Sequence, residues 1–180
     1  MPLLRITYHR GSITDSQKNQ LAEKLTPILI EGEVGQDNEQ ARALAYVIFQ
    51  ETDPRSEWFV GGKPDINAPK GGRFLLEVWY VEGAATQSEK TIVHRKMNEV
   101  LSNVIGVDGT FPNRLTDWVI INEVKEGAWG ASGVTVGVKE ANEALGGSEG
   151  RAEYFQRFLS AKQSLFKEHG FPSERGKGLS

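Results

Sequence analysis

Leu3-Leu4-Arg5-Ile6-Thr7-Tyr8 reads again as Leu75-Leu76-Glu77-Val78-Trp79-Tyr80, with position 3 answering to position 75. The same displacement pairs Gly11 with Gly83, Thr14 with Thr86, Ser16 with Ser88 and Lys18 with Lys90. It continues without a gap to Val47-Ile48 against Val119-Ile120 and to Glu51 against Glu123. Chance gives an occasional match, not one register held across three successive elements. The chain is a duplicated unit.

Each unit reads as strand, helix, strand. Residues 3–8 are an extended apolar run closed by Arg10-Gly11, a turn signal. Thr14-Asp15-Ser16-Gln17 is a capping box. The helix it opens buries a stripe of Leu21, Ala22, Leu25, Ile28 and Leu29. Pro27 falls in that stripe and should kink the helix or mark its last regular turn. Thr86-Gln87-Ser88-Glu89 repeats the cap, before a helix expected to bury Ile92, Val93, Met97, Val100, Leu101 and Val104. The closing strands are expected at about 43–50 and 117–124. A helical crossover between strands of one sheet makes them parallel. The predicted fold is therefore α+β, a tandem β-α-β repeat forming a four-stranded sheet with two helices on one face. The uncovered face calls for a partner, which points to oligomerisation.

Composition narrows the function. The 180 residues carry a formal charge of −3 and no Lys/Arg cluster interleaved with aromatics, so no nucleic-acid partner is expected. No apolar run approaches the ~20 residues of a membrane span, so no membrane partner is expected either. No signal-peptide pattern opens the chain, and a cytoplasmic location is expected. The absence of cysteine excludes disulfides, thiolate metal sites and Cys nucleophiles. His9, His94 and His169 are scattered, so no metal site is expected.

Two glycine-rich connectors carry an aromatic each. Between the units, Trp58-Phe59-Val60-Gly61-Gly62-Lys63-Pro64 does not match a phosphate-binding loop, because Pro64 follows Lys63 and no helix opens there. After the second unit come Trp129-Gly130-Ala131-Ser132-Gly133 and a short strand expected over 134–138. Such segments are either plain hairpins or walls that bring backbone N–H groups and an aromatic face to a small ligand. A further helix is expected over 148–169, ahead of a polar tail, Gly170–Ser180.

Pro2 supplies the chemistry. Methionine aminopeptidases remove Met1 ahead of a small residue, leaving Pro2 as a free secondary amine on a strand. A generic α-amine titrates at about 7.7–8.0, and burial lowers that value. A terminal proline can therefore act as a general base near neutrality.

The penultimate proline, the duplicated unit, Phe59–Pro64, and Ile121-Asn122-Glu123-Val124 followed by Trp129–Gly133 together resemble the tautomerase superfamily. The nearest resemblance is to its double-length group, which contains cis-3-chloroacrylic acid dehalogenase, and it covers about residues 2–138. It implies a tautomerase-like domain of two pseudo-symmetric units, 2–70 and 74–138, with 139–180 as a C-terminal helix and loose tail. It further implies a homotrimer, no cofactor, and Pro2 as the catalytic base or acid on a small carboxylate substrate (a 2-oxo, enol or unsaturated acid).

The chain departs from the dehalogenase pattern. Val81-Glu82-Gly83-Ala84 stands where that enzyme has two arginines after the second-repeat strand. Leu29 stands in place of a histidine, Ile120 in place of the strand tyrosine, and the water-activating glutamate falls near Ala131. The last-strand arginine of 4-oxalocrotonate tautomerase falls on Trp118. Substitutes for the carboxylate-binding arginines are sought at sheet ends among Arg10, Arg73 and Arg114, with Arg73 and Arg10 preferred. Trp129 is the expected aromatic wall. Two alternatives stay open: a hydratase or dehalogenase-like lyase with a relocated site, and a non-catalytic trimeric relative that has lost the charged site.

Overall fold

Pairing register, not strand order alone, decides what this molecule can bring together. The structure, a computed structural model, describes residues 2–170; most of the expected tail lies outside them. The first unit comprises β1 (Leu3–His9), α1 (Asp15–Val34), α2 (Glu39–Leu44) and β2 (Tyr46–Thr52), followed by a two-stranded hairpin of β3 (Phe59–Val60) and β4 (Lys63–Pro64). The second comprises β5 (Phe74–Val81), α3 (Gln87–Ile105) and β6 (Trp118–Val124), followed by a hairpin of β7 (Trp129–Ala131) and β8 (Val134–Val136). Helices α4 (Val138–Ala144) and α5 (Glu149–Glu168) complete the described chain.

The main sheet has the order β2-β1-β5-β6. β1 and β2 are parallel, β5 and β6 are parallel, and β1 meets β5 antiparallel. The tandem β-α-β arrangement read from the repeat is thus the one observed. Both capping boxes form: Thr14 with Gln17, and Thr86 with Glu89. Along β1 and β5, Leu4, Ile6, Tyr8, Phe74, Leu76, Val78 and Tyr80 are buried. They pack against Leu21, Leu25 and Leu29 of α1 and Val93, Met97 and Leu101 of α3. At the ~25 cal/mol per Å² of apolar burial, this shared layer is the main source of stability.

Several local expectations need correction. Residues 43 and 44 belong to α2, because the Asn38 side chain accepts the Ala41 N–H at 2.9 Å and starts a helix there. β2 consequently begins at Tyr46. Pro27 does not mark the last turn of α1, which continues to Val34. The carbonyl its missing N–H cannot bond belongs to exposed Glu23, where water can satisfy it. Ile92 is 44% exposed rather than buried, since the stripe of α3 runs through Val93, Met97 and Leu101. Val138 opens α4 instead of ending a strand, with its N–H held by Glu126 at 2.9 Å.

α5 closes the end of the sheet where β5 terminates. Phe155 is buried in the main core, and Phe158 lies on Gly83, where a Cβ would stand 2.6 Å from its ring. Arg151, itself buried, donates to the Ala84 carbonyl at 2.8 Å and grips both oxygens of Glu89 at 3.1 and 2.6 Å. Lys162 donates to Glu82.

Candidate active site

The register sorts the sequence candidates into two groups. Leu3 stands opposite Trp79 and beside Tyr46, while Val81 stands beside Val124. Pro2, the start of β2 and the ends of β5 and β6 therefore share one end of the sheet. The Tyr46 N–H donates to the Pro2 carbonyl at 3.1 Å, fixing the residue as an extension of β1. Pro2 is buried. The segment carrying Trp129 leaves β6 from this same end, and its Glu126 N–H bonds Glu82 at 3.1 Å.

Arg10, Arg73 and Arg114 gather at the other end. Seven strand residues separate Pro2 from Arg10, a span of roughly 26 Å over eight steps of ~3.3 Å. All three are engaged. Arg10 lies 3.4 Å from Glu51 and 3.2 Å from Asp53, Arg73 grips Asp65 and Thr116, and Arg114 holds Asp117 and the carbonyls of Lys70 and Gly72. His9 is buried here too, edge-on to Trp58 at 4.8 Å with Nε2 3.5 Å from Asp65. Burial lowers the His9 pKa, and Asp65 opposes that shift. Within one subunit, the expected union of Pro2 with Arg73 or Arg10 does not occur. Sequence position put Arg73 at the start of a strand equivalent to β1, but the antiparallel contact of the two units turns equivalent strand starts to opposite ends.

What does stand near Pro2 is a carboxylate. Glu33, in the last turn of α1, is fully buried, and its Oε1 accepts the Val81 N–H at 3.1 Å. The next N–H, that of Glu82, points to Val124 of β6 at 2.8 Å. Successive strand N–H groups alternate sides, so the Val81 N–H faces β1. Pro2 falls opposite Tyr80, and Glu33 therefore fills the place just ahead of Pro2 in the line of β1. Burial pushes the Glu33 carboxyl up, while the chain's amino charge and the Val81 N–H pull it back.

Tyr80 lies beside it. Its phenol is buried and has no hydrogen-bond partner among the described residues. Burial, then the nearby Glu33, hold it protonated far above its ordinary value. The repeat sharpens this: the equivalent Tyr8 hydroxyl bonds Glu51 at 3.3 Å. The glutamate equivalent to Glu51, Glu123, is instead taken by the Gly83 N–H at 3.0 Å and Lys90 at 2.7 Å. Two arginines reach this end, Arg151 on Glu89 and Arg42, which grips Asp37 through both oxygens. Sequence reasoning missed Glu33, Tyr80, Arg42 and Arg151. One signal for Glu33 was present, since it falls four residues after Leu29 on the apolar stripe of α1, where a carboxylate is out of place.

No family model matches the sequence, and no curated protein matches it. Solved structures do. The structure of native fused 4-OT superposes with a TM-score of 0.59 at 17% identity, over 80% of this chain and 98% of that one. A member of the cis-3-chloroacrylic acid dehalogenase family gives 0.60 at 19% identity, over 88% and 99%. Macrophage migration inhibitory factor from Toxoplasma gondii gives 0.54 at 13%, over 74% and 99%. The chain therefore has the fold of the tautomerase superfamily in its double-length arrangement. Nearly the whole of each neighbour is matched, so residues of this chain left over lie beyond the shared fold. No helix among the described residues is long and apolar enough to cross a membrane.

Proposed function

We propose that the protein is a cofactor-independent proton-transfer enzyme of the tautomerase type, in which Pro2, freed of Met1, acts on a small 2-oxo, enol or unsaturated acid. The observation that carries this reading is the position of Pro2: buried, fixed by Tyr46 at the head of a central strand, and flanked by Glu33 and Tyr80. Proton transfer by a positioned group needs that kind of fixed geometry and a shifted pKa. In this reading Trp129, on the segment that leaves the same sheet end, supplies the aromatic wall of the substrate site. Arg10 and Arg73 can hold the substrate carboxylate only if a neighbouring subunit brings them to Pro2.

The working assembly in this reading is a homotrimer. The sheet face away from the helices exposes Tyr46 (58%), Ile48 (47%), Trp118 (59%) and Ile120 (41%). An apolar surface of that kind on a soluble chain is normally covered by a partner. Fused 4-OT structures are described as symmetric and asymmetric trimers. Light scattering at micromolar concentration should return three times the 19.9 kDa chain mass; a monomer would rule the assembly out.

Intact mass should show Met1 removed. Ketonisation of phenylenolpyruvate-like and 2-hydroxymuconate-like enols should then fall ~10²–10⁴-fold in Pro2→Ala, less whatever rate the new primary amine sustains. An unchanged rate in a correctly processed variant excludes Pro2 as the catalyst. Arg42 and Arg151 are each tied to a carboxylate within the subunit, and this favours the non-catalytic relative as the second reading. It becomes the better one if wild type turns over no enol, acetylenic acid or 3-haloacrylate.

A further inference from the structure

The sequence alone makes Pro2 a base, because burial lowers an amine's affinity for protons. The surroundings of Pro2 act the other way. Glu33 occupies the place ahead of Pro2 in the line of β1, held there by the Val81 N–H at 3.1 Å. It belongs to the last turn of α1, whose carbonyl end carries partial negative charge and adds to the attraction for a cation. Other charges at this end of the sheet are paired: Glu82 with Lys162, Glu123 with Lys90 and Asp37 with Arg42. Tyr80 of β5 is a neutral phenol, and Arg151 of α5 and Glu89 of α3 neutralise each other in a two-oxygen grip. Glu31 of α1 and Lys96 of α3 pair at the surface at 3.0 Å.

We infer that Glu33 is the counter-group of the Pro2 nitrogen, pairing with it once Met1 is removed and keeping it protonated at neutral pH, so that Pro2 works as a general acid. The inference rests on the proton-transfer reading and decides its direction. A protonated secondary amine has two N–H bonds. One is held by Glu33, and the other faces the substrate. In ketonisation of an enol, that N–H protonates carbon, the enol O–H proton leaves to water, and the amine regains a proton from solvent. The substrates favoured are therefore those whose difficult step is protonation at carbon, enols and unsaturated acids, rather than ketones awaiting deprotonation.

The test is the titration of Pro2 itself in full-length protein labelled with 15N-proline; seven prolines keep the spectrum sparse. In wild type with Met1 removed, the terminal nitrogen should titrate above the ~7.7–8.0 of an ordinary terminus. Glu33→Gln keeps an acceptor for Val81 and removes the charge, and should lower the midpoint by about one pH unit or more. Glu31→Gln, at the surface pair, should leave it in place. A wild-type midpoint at or below the ordinary range overturns the pairing even if Glu33→Gln does not fold. So does an unmoved midpoint in Glu33→Gln, or an equal fall in Glu31→Gln. These failures leave Pro2 standing as a base. A retained Met1, seen by mass, overturns the proton-transfer reading and the pairing together.

Discussion

Gly32 and Tyr80 offer a sharp test of the packing at the Pro2 end. Gly32 lies inside α1, where replacing glycine by alanine ordinarily stabilises a helix by about 1 kcal/mol. Here an added Cβ would stand 2.2 Å from the Tyr80 hydroxyl oxygen and 2.9 Å from a Val93 methyl. Both belong to the packed core, and overpacking costs roughly 1–3 kcal/mol. The overpacking cost offsets or exceeds the helix gain, and Gly32→Ala should be destabilising by up to about 2 kcal/mol. Tyr80→Phe should behave oppositely. It deletes a buried hydroxyl with no partner among the described residues, whose desolvation penalty is about 1–3 kcal/mol. It also removes the atom nearest the new methyl. In the Tyr80→Phe background, Gly32→Ala should lose at least ~1 kcal/mol of its cost, a coupling within the range seen for touching residues. Urea unfolding of the four proteins at one concentration measures the cycle, with melting temperatures as a check at about 2–4 °C per kcal/mol. Additive effects would refute the contact. A Tyr80→Phe loss above ~1 kcal/mol would mean that the hydroxyl is satisfied after all.

The other expectations concern the far end of the sheet and the α5 clasp. Burial lowers the His9 pKa, so the unfolded chain binds the extra proton; the His9 contribution is complete above ~6.5 and is lost as pH falls below it. Glu33, shifted upward, acts in the opposite sense over part of that range. The informative quantity is thus the stability difference between wild type and His9→Gln, which should shrink from pH 7.5 to 5.5 and must not stay constant. Arg151→Met should cost on the order of 2–3 kcal/mol, because it breaks a largely buried two-oxygen pair and frees the Ala84 carbonyl. Glu89→Gln should cost less, since an amide oxygen can still accept the Thr86 N–H; equal losses in the two variants would contradict that order.

The repeat register was legible because it is written in local chemistry. Apolar alternation and the Thr14 and Thr86 caps depend only on residues near one another in sequence, and the repeat is read by matching two such local patterns. Those signals determined two β-α-β units and the aromatic connectors after each. They left open how one unit meets the other, and that choice placed every functional candidate. Because β1 lies antiparallel to β5, Arg73 was turned away from Pro2, whereas the same contact brought up Tyr80. Glu33 reached the head of β1 only through the length of α1, and Arg151 reached Glu89 only when Phe155 and Phe158 seated α5 on the loop after β5. The Val81 N–H bond to Glu33 and the Arg151–Glu89 ion pair join residues 48 and 62 positions apart, where no periodicity connects them. Their partners are set by which helix ends and strand ends the packed core brings to one place.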